Sequence, residues 1–249
     1  DGTLWVATTE GLFAYGSEGY QRLTDDFAER SRSVRALADD GAGRVWLATM
    51  DGQVLGYAAG AFHRVREVGG AVQALCRDRG GRLWVGTYGD GLYSYDARRF
   101  RRFTPAQGLP AARVLCLAET ADGTLWVGTQ RGLVGYDGRT FAAPAYGADV
   151  SGPAIAALTV DRGGRLWVGT YAGGVYGVVD GRWRQVLDGQ RPLRCLAADR
   201  AGRLWVRLTA WWGPDHPYPG GLVYCQGDQA RVFPGPPAGP NQVSALAVD

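Results

Sequence analysis

The chain has 249 residues, 46% of them hydrophobic, with 39 glycines and a formal net charge of +3. No run of about 18 apolar residues occurs, which argues against a membrane-spanning helix. Its basic residues are all arginines interleaved with acidic residues, and this argues against the clustered basic surface that nucleic-acid binding needs.

The predicted elements are short strands that recur in one order. In the first repeat, "LWVAT" (4–8), "GLFAY" (11–15) and "YQRLT" (20–24) are rich in β-branched and aromatic residues and are separated by glycine, which is typical of strands. A further strand, "VRALADD" (34–40), follows and is predicted to be the first strand of the next sheet. Its relatives are "VQALCRD" (72–78), "VLCLAET" (114–120), "IAALTVD" (155–161), "LRCLAAD" (193–199) and "VSALAVD" (243–249).

One tryptophan marks each repeat: Trp5, Trp46, Trp84, Trp126, Trp167 and Trp205, at intervals of 41, 38, 42, 41 and 38 residues. Four antiparallel strands in a repeat of about 40 residues describe a blade of a β-propeller. A single small sheet leaves an apolar face in water, and stacked blades bury it. The pattern therefore predicts an all-β, six-bladed β-propeller in which each repeated Trp is a wedge between blades.

The two ends of the sequence predict how one blade is completed. The chain ends on a first-strand pattern (243–249) and begins on a second-strand pattern (4–8), so one blade is expected to contain strands from both termini. The prediction is a single domain, 1–249, with repeat units at about 1–40, 41–78, 79–120, 121–161, 162–199 and 200–249. Because the first residue is Asp, we expect a piece of a longer precursor or a processed product.

The repeat resembles the two-component regulator propeller family. The resemblance rests on V-x-x-L-x-x-D, then G-x-L-W-V-G-T, then G-L-x-x-Y, and "GRLWVRLT" departs from it at Arg207 and Leu208. It implies a periplasmic or extracellular sensor half of a hybrid histidine kinase, with a ligand that is often a polysaccharide breakdown product. No dimerisation helix, phosphoacceptor region or nucleotide-binding box is recognisable in the sequence.

The strongest departure from the repeat is the second-to-third loop of the sixth copy, "TAWWGPDHPYPGG" (209–221). Its candidate ligand-binding residues are Trp211, Trp212, Asp215, His216 and Tyr218. Aromatics in a proline-stiffened loop suit stacking on a sugar, because such a loop is preorganised. Packing of the two tryptophans into a gap of the propeller is the open alternative.

Five further residues are predicted to line the mouth of a central channel. Tyr88 and Tyr171 occupy equivalent loop positions, and ordinary loop packing is their alternative. Arg35, Gln73 and Arg194 occupy the second position of the first strand, which suits an anionic or sugar ligand if that face is turned to the channel. Glu10, Asp51 and Asp90 are explained either by turn chemistry or by a shared acidic ring.

The sequence favours binding over catalysis. The spacing of the four cysteines and two histidines predicts no metal site and no cofactor, and Cys116 and Cys195 are expected to be small buried residues. The expected function is a non-enzymatic, extracytoplasmic sensor propeller with an oligosaccharide ligand. A protein-interaction scaffold is the alternative, and a propeller lyase or glycan-active enzyme using Asp215 and His216 is a third hypothesis. A protein partner is possible, and neither nucleic acid nor membrane insertion of this segment is expected.

Overall fold

A computed structural model describes residues 3–17, 19–23, 33–40, 43–144, 150, 152–179, 182–187, 192–208, 222–226 and 229–233. The chain divides into two compact units, unit 1 (Asp1–Leu115) and unit 2 (Cys116–Asp249). Among the described residues the helical structure consists of one 3₁₀ turn, Pro105–Gln107. No helix in this part of the chain has the length and apolar character needed to cross a bilayer.

Unit 1 contains three antiparallel sheets. Sheet 1 has the order β1 (Leu4–Thr8), β2 (Gly11–Gly16), β3 (Gly19–Arg22). Sheet 2 has the order β4 (Val34–Asp39), β5 (Val45–Thr49), β6 (Gln53–Ala58), β7 (Ala61–Glu67). Sheet 3 has the order β8 (Val72–Arg77), β9 (Leu83–Thr87), β10 (Leu92–Tyr95), β11 (Phe100–Phe103).

The remaining three sheets follow in the same sequential order. Sheet 4 is β12 (Val114–Glu119), β13 (Leu125–Thr129), β14 (Gly132–Tyr136), β15 (Phe141–Ala142), and its first strand begins in unit 1. Sheet 5 is β16 (Ile155–Val160), β17 (Leu166–Thr170), β18 (Val175–Val179), β19 (Arg182–Leu187). Sheet 6 is β20 (Leu193–Ala198), β21 (Leu204–Leu208), β22 (Leu222–Gln226), β23 (Gln229–Phe233).

The predicted fold class is confirmed: the protein is an all-β, six-bladed β-propeller. Five sheets have four described strands and the first has three. The strand that should complete the first blade, 243–249, lies outside the described residues, so its contribution from the far terminus stays a prediction. The single-domain organisation likewise stays a prediction.

Neighbouring sheets bury one apolar face against the next, and the repeated tryptophan lies in that contact. Trp5 of sheet 1 packs edge-on against Tyr57 of sheet 2, with ring centroids 5.4 Å apart. In unit 2, Trp126 of sheet 4 packs edge-on against Trp183 of sheet 5, with centroids 6.4 Å apart. The wedge predicted from the Trp spacing is therefore confirmed at these contacts, where large flat rings fill the space between pleated faces.

The glycine of L-W-V-G-T permits close approach of the next sheet. A Cβ at Gly169 in β17 would lie 2.7 Å from Leu193 of sheet 6, and one at Gly86 in β9 would lie 2.6 Å from Val114. Any side chain there would overlap its neighbour. In sheet 6 this position is Arg207, which is half-buried, so the departure seen in the sequence is a change at a sheet-packing position.

Candidate functional site

One carboxylate holds the turn between the first and second strands of a sheet. Asp78 accepts hydrogen bonds from the backbone N–H of Arg82 at 2.7 Å and from Trp84 Nε1 at 2.8 Å. Asp161 and Asp199 form the same two bonds in sheets 5 and 6. Because both carboxylate oxygens are used by the fold, the repeated Asp is structural and this end of the sheets is a poor candidate for ligand binding.

Asp199 shows how strongly this turn prefers the ionised carboxylate. Burial would raise its pKa, but hydrogen bonds from Trp205 and Arg203 and the charge of Arg203 outweigh burial and lower the pKa to about 2. The Arg203 guanidinium lies 2.6 Å from the carboxylate. A carboxylate that accepts several hydrogen bonds and lies beside a guanidinium is expected to have such a lowered pKa.

In five of the six sheets a threonine organises the opposite end, where the second strand turns into the third, whereas sheet 6 has Leu208 at this position. Thr87 accepts a hydrogen bond from the backbone N–H of Asp90 at 3.1 Å and donates one to the Gly91 carbonyl at 2.7 Å. Equivalent pairs of bonds are formed by Thr8, Thr49, Thr129 and Thr170. The threonine therefore satisfies the hydrogen-bonding groups of the loop backbone. The side chain of the next residue is not required to form the turn.

The residue that follows this threonine is large and exposed in three sheets. Met50 and Tyr88 are each 49% exposed, and Tyr171 is 39% exposed. Each backbone N–H is nevertheless bonded, to Ser33, Ala71 and Ala154 respectively. The predicted equivalence of Tyr88 and Tyr171 thus holds in the local structure, and both rings project from anchored backbone. Their place at a channel mouth stays a prediction.

Tyr88 differs from Tyr171 in having a cationic partner. The Arg113 guanidinium lies 3.4 Å from the centre of the Tyr88 ring, and the two residues also form an isolated β-bridge. Arg113 is half-buried, and its side chain forms no hydrogen bond or ion pair within the described part of the chain. Arg113 is a candidate site residue that the sequence reasoning missed. It precedes the first strand of sheet 4, where the other sheets have Ser33, Ala71, Ala154 and Pro192.

The loop that carries Arg113 is anchored at several points. Thr104 forms a capping box with Gln107 at the 3₁₀ turn, which also contains Pro105. Beyond the turn, Leu109 is 3% exposed and the backbone N–H of Gly91 donates to the Ala112 carbonyl at 2.9 Å. Arg113 is therefore held over Tyr88 by a preorganised loop.

Arg35 and Gln73 are brought together by the structure. The Arg35 Nη2 group donates to Gln73 Oε1 at 3.3 Å, between the adjacent first strands of sheets 2 and 3. Each lies at a β-bulge, where the pairing register shifts and the residue lacks a partner in the second strand. Arg194 in unit 2 occupies the same bulge position of β20 and is exposed. Whether these residues line a channel stays a prediction.

Two contacting pairs lie in unit 1, Tyr88 with Arg113 and Arg35 with Gln73. Val72 pairs with Thr87, and because the two strands are antiparallel, Gln73 and Tyr88 lie on opposite sides of that pair, each one residue away from it. We call these four residues the Tyr88 face. Two of its members are guanidinium groups that form no ion pair within the described residues.

The acidic loop residues have structural partners. Asp90 is bound by the Arg102 guanidinium and the Tyr93 hydroxyl, and burial together with the bond to Asp90 raises the pKa of Tyr93. Asp51 accepts hydrogen bonds from Thr49 Oγ1 and from Gln53 Nε2. These contacts agree with the turn explanation of Asp51 and Asp90 and leave little carboxylate charge available for a shared acidic ring.

The cysteines are thiols that pack in the sheets. Cys116 donates to the Ile155 carbonyl at 3.7 Å, and burial raises the pKa of its thiol. Burial also raises the pKa of the Cys195 thiol, an effect partly offset by the charge of Arg207. Both are partly buried rather than fully buried as predicted. Their raised thiol pKa values lower their reactivity. No cluster of three or more potential metal ligands occurs in the described part of the chain.

Five predicted site residues lie outside the described residues: Trp211, Trp212, Asp215, His216 and Tyr218. Their role in ligand binding, and the alternative that the tryptophans fill a gap in the propeller, stay predictions. The described candidates are therefore the Tyr88 face in unit 1 and Tyr171 with Arg194 in unit 2.

The fold and the Tyr88 face define a β-propeller with an exposed aromatic and cationic surface at the loop end of its sheets. Residues 67–89 and 108–131 match the two-component regulator propeller family profile. These two segments therefore match two-component regulator propeller repeats, the family that the motifs resemble. The two matched segments include Tyr88 and Arg113. No curated protein sequence matches the chain.

Solved structures share the fold at low sequence identity. The extracellular domain of the hybrid two-component system BT4673 from B. thetaiotaomicron is 20% identical, with a TM-score of 0.76, over 99% of this chain and 33% of that one. Virginiamycin B lyase from Staphylococcus aureus is 13% identical, with a TM-score of 0.74, over 100% of this chain and 86% of that one. The GH74 xyloglucanase from Xanthomonas campestris is 17% identical, with a TM-score of 0.74, over 93% of this chain and 43% of that one. The chain spans about a third of the length of the first of these structures.

Proposed function

We propose that this chain is a non-enzymatic ligand-binding propeller that serves as the input domain of a two-component signalling protein and binds an oligosaccharide at the Tyr88 face. The observation that carries the proposal is the exposed Tyr88 ring, held under Arg113 by anchored loops. Neither side chain is needed to satisfy the turn, because Thr87 already does so.

The chemistry of the face suits a sugar. An aromatic ring offers a flat apolar surface to the C–H groups of a pyranose at little cost in side-chain entropy. Gln73 and Arg35 supply amide and guanidinium donors for hydroxyl groups. Because the loop of Arg113 is preorganised, little ordering is required when a ligand binds.

The sensor role and a location outside the cytoplasm are parts of the same proposal. They are supported by the two-component regulator propeller repeats and by the fold likeness to an extracellular domain of a hybrid two-component system. In this proposal, ligand binding in the propeller is transmitted to other segments of the full-length protein. Fractionation of cells that produce the full-length protein tests the location, and a purely cytoplasmic distribution would contradict it.

An enzymatic function is the second candidate, because the fold likeness to virginiamycin B lyase covers most of that enzyme. The non-enzymatic proposal is supported by the state of the loop carboxylates, since Asp90 is bound by Arg102 and Tyr93 and Asp51 by Thr49 and Gln53. A carboxylate bound in this way is a poor general base. New products after incubation with oligosaccharides would favour the enzyme.

Calorimetric titration with neutral and acidic oligosaccharides tests the binding proposal. We expect saturable binding to the unaltered protein and an affinity about tenfold weaker in Tyr88→Ala, because the stacking surface is removed. Tyr20→Ala is the matched control, since Tyr20 is a 61% exposed tyrosine on the outer strand of sheet 1. Equal affinities in the Tyr88→Ala variant and the unaltered protein would contradict the assignment of the face. Binding of a protein but of no sugar would favour the scaffold alternative.

A further inference from the structure

The Tyr88 face carries an excess of positive charge that the fold does not use. Arg113 stacks on Tyr88 without an acceptor among the described residues, and the described partner of Arg35 is the neutral Gln73 amide. The neighbouring carboxylate of Asp90 is already bound by Arg102 and Tyr93. A half-buried guanidinium without a counter-charge is costly unless a ligand provides one.

The stacked arrangement fixes the direction in which Arg113 can donate. A guanidinium over the centre of a ring covers one face of that ring, and its five N–H donors lie in its own plane. They are therefore directed sideways, past the edge of the Tyr88 ring, in a fork that matches a carboxylate. The 49% exposure of Tyr88 leaves ring surface for a second stacking partner.

We infer that the ligand of the Tyr88 face is an acidic oligosaccharide, one unit of which stacks on Tyr88 while a uronate carboxylate binds Arg113. This inference rests on the proposed function and adds the charge class of the ligand. Because every unit of an oligouronide carries a carboxylate, the stacked unit and the unit that meets Arg113 can be neighbours. Arg35 with Gln73 is a second cationic position in unit 1.

A comparison within the chain supports Arg113 as the charge-selective residue. Tyr171 is the equivalent exposed tyrosine in sheet 5. Arg113 precedes the first strand of the sheet after that of Tyr88, and the residue that precedes the first strand of the sheet after that of Tyr171 is Pro192. Tyr171 therefore provides an aromatic ring in the same loop position without the arginine. The inference predicts that an acidic sugar binds at Tyr88, beside Arg113, more tightly than at Tyr171.

The experiment measures the affinity of acidic oligosaccharides and of their carboxyl-reduced, neutral counterparts. The probes are oligogalacturonate, oligoalginate and glucuronate-bearing xylan fragments, each paired with its reduced form. We expect at least one acid form to bind about tenfold more tightly than its reduced form. Arg113→Ala should abolish that difference by weakening the acid form alone, whereas Tyr171→Ala should leave the difference between the acid and reduced forms intact.

Two further variants separate charge from folding. Arg113→Lys keeps the charge but loses the planar fork, so it should show an intermediate affinity for the acid form. Arg139→Ala removes an exposed arginine in a turn of sheet 4 and should have no effect. Thermal unfolding of each variant verifies that the protein is folded before affinities are compared.

The outcomes distinguish this inference from the proposed function. If acid and reduced forms bind equally, or if Arg113→Ala weakens both equally, the acidic ligand class is wrong and oligosaccharide binding remains. If no sugar of either kind binds the folded protein, the proposed function fails as well. Selectivity for the acid form that Tyr171→Ala removes would move the site to unit 2 and overturn the assignment to Arg113.

Discussion

Sheets 1 and 3 contain equivalent rows of apolar side chains across their strands, and the row is exposed in sheet 1 but covered in sheet 3. In sheet 3, Leu83 pairs with Tyr95 across the strands, and Leu83 is 1% exposed. In sheet 1, the equivalent Leu4 pairs with Tyr15, and each is 55% exposed. The local sequences are alike, so strand pairing by itself does not decide whether this row is buried.

The difference lies in what packs against each row. Trp46 of sheet 2 lies edge-on to Tyr95, with ring centroids 6.0 Å apart, and belongs to the same apolar cluster as Leu83. In sheet 1 the row continues to Tyr20, which stacks on Phe13 of its own sheet. A repeat motif therefore supplies an apolar face, and the neighbouring sheet determines how much that face stabilises the fold.

The largest expected effect is on the two leucines. Leu83→Ala should lower the free energy of unfolding by about 2–5 kcal/mol, because it opens a cavity in a packed cluster. Leu4→Ala should change it by about 0.5 kcal/mol or less, because the side chain is already in water. Urea unfolding monitored by tryptophan fluorescence measures both. A loss in Leu4→Ala as large as in Leu83→Ala would mean that another surface covers the row of sheet 1 in solution.

A smaller effect is expected for the aromatic contact between sheets 2 and 3. A double-mutant cycle of Trp46→Ala and Tyr95→Ala should give a coupling free energy of about 0.5–1.5 kcal/mol, since the rings meet edge to face. Trp46→Ala with Tyr15→Ala is the control cycle, because Tyr15 lies on the exposed row. Equal coupling in the two cycles would show that the contact in sheet 3 is not the source of its burial.

Acid should lower the stability of the protein through Asp199 and should leave the leucine comparison intact. The pKa of Asp199 is lowered to about 2 in the folded protein, from an ordinary value of 3.8. Its ionised form therefore stabilises the fold fully above about pH 4, and this contribution is lost as the pH falls toward 2. In Asp199→Asn, melting temperatures should fall less steeply across that range.

Asp199 lies in sheet 6, outside the two rows compared. The difference in stability between Leu83→Ala and Leu4→Ala should consequently remain the same at pH 4 and pH 7. A leucine difference that disappeared at pH 4 would point to a titrating group in the contact between sheets 2 and 3, and would contradict an explanation from apolar packing.

Much of the fold could be predicted from the chain because its signals are local and repeated. The strands, their order and the antiparallel sheets follow from alternating side chains and glycine turns. The Asp and Thr found in most repeats bond to groups a few residues away. The site was predicted only in part. Tyr88, Gln73 and Arg35 were named from their positions in the repeat, whereas Arg113 was not named.

Arg113 escaped prediction because its role arises from a contact between residues 25 positions apart. Local sequence patterns do not predict that the loop ending at Arg113 places its guanidinium on the Tyr88 ring. The bulges are a similar case, since a register shift against a neighbouring strand exposes Arg35 while Val34 beside it stays buried.

The sequence by itself determined the repeat, the strand order and which side of each strand is apolar, because these depend on side-chain alternation within a few residues. The tertiary structure alone decided which apolar rows are covered, where the bulges turn polar side chains outward, and which arginine meets which ring. Those outcomes depend on packing between sheets and between distant loops, and short-range periodicity carries no information about such contacts.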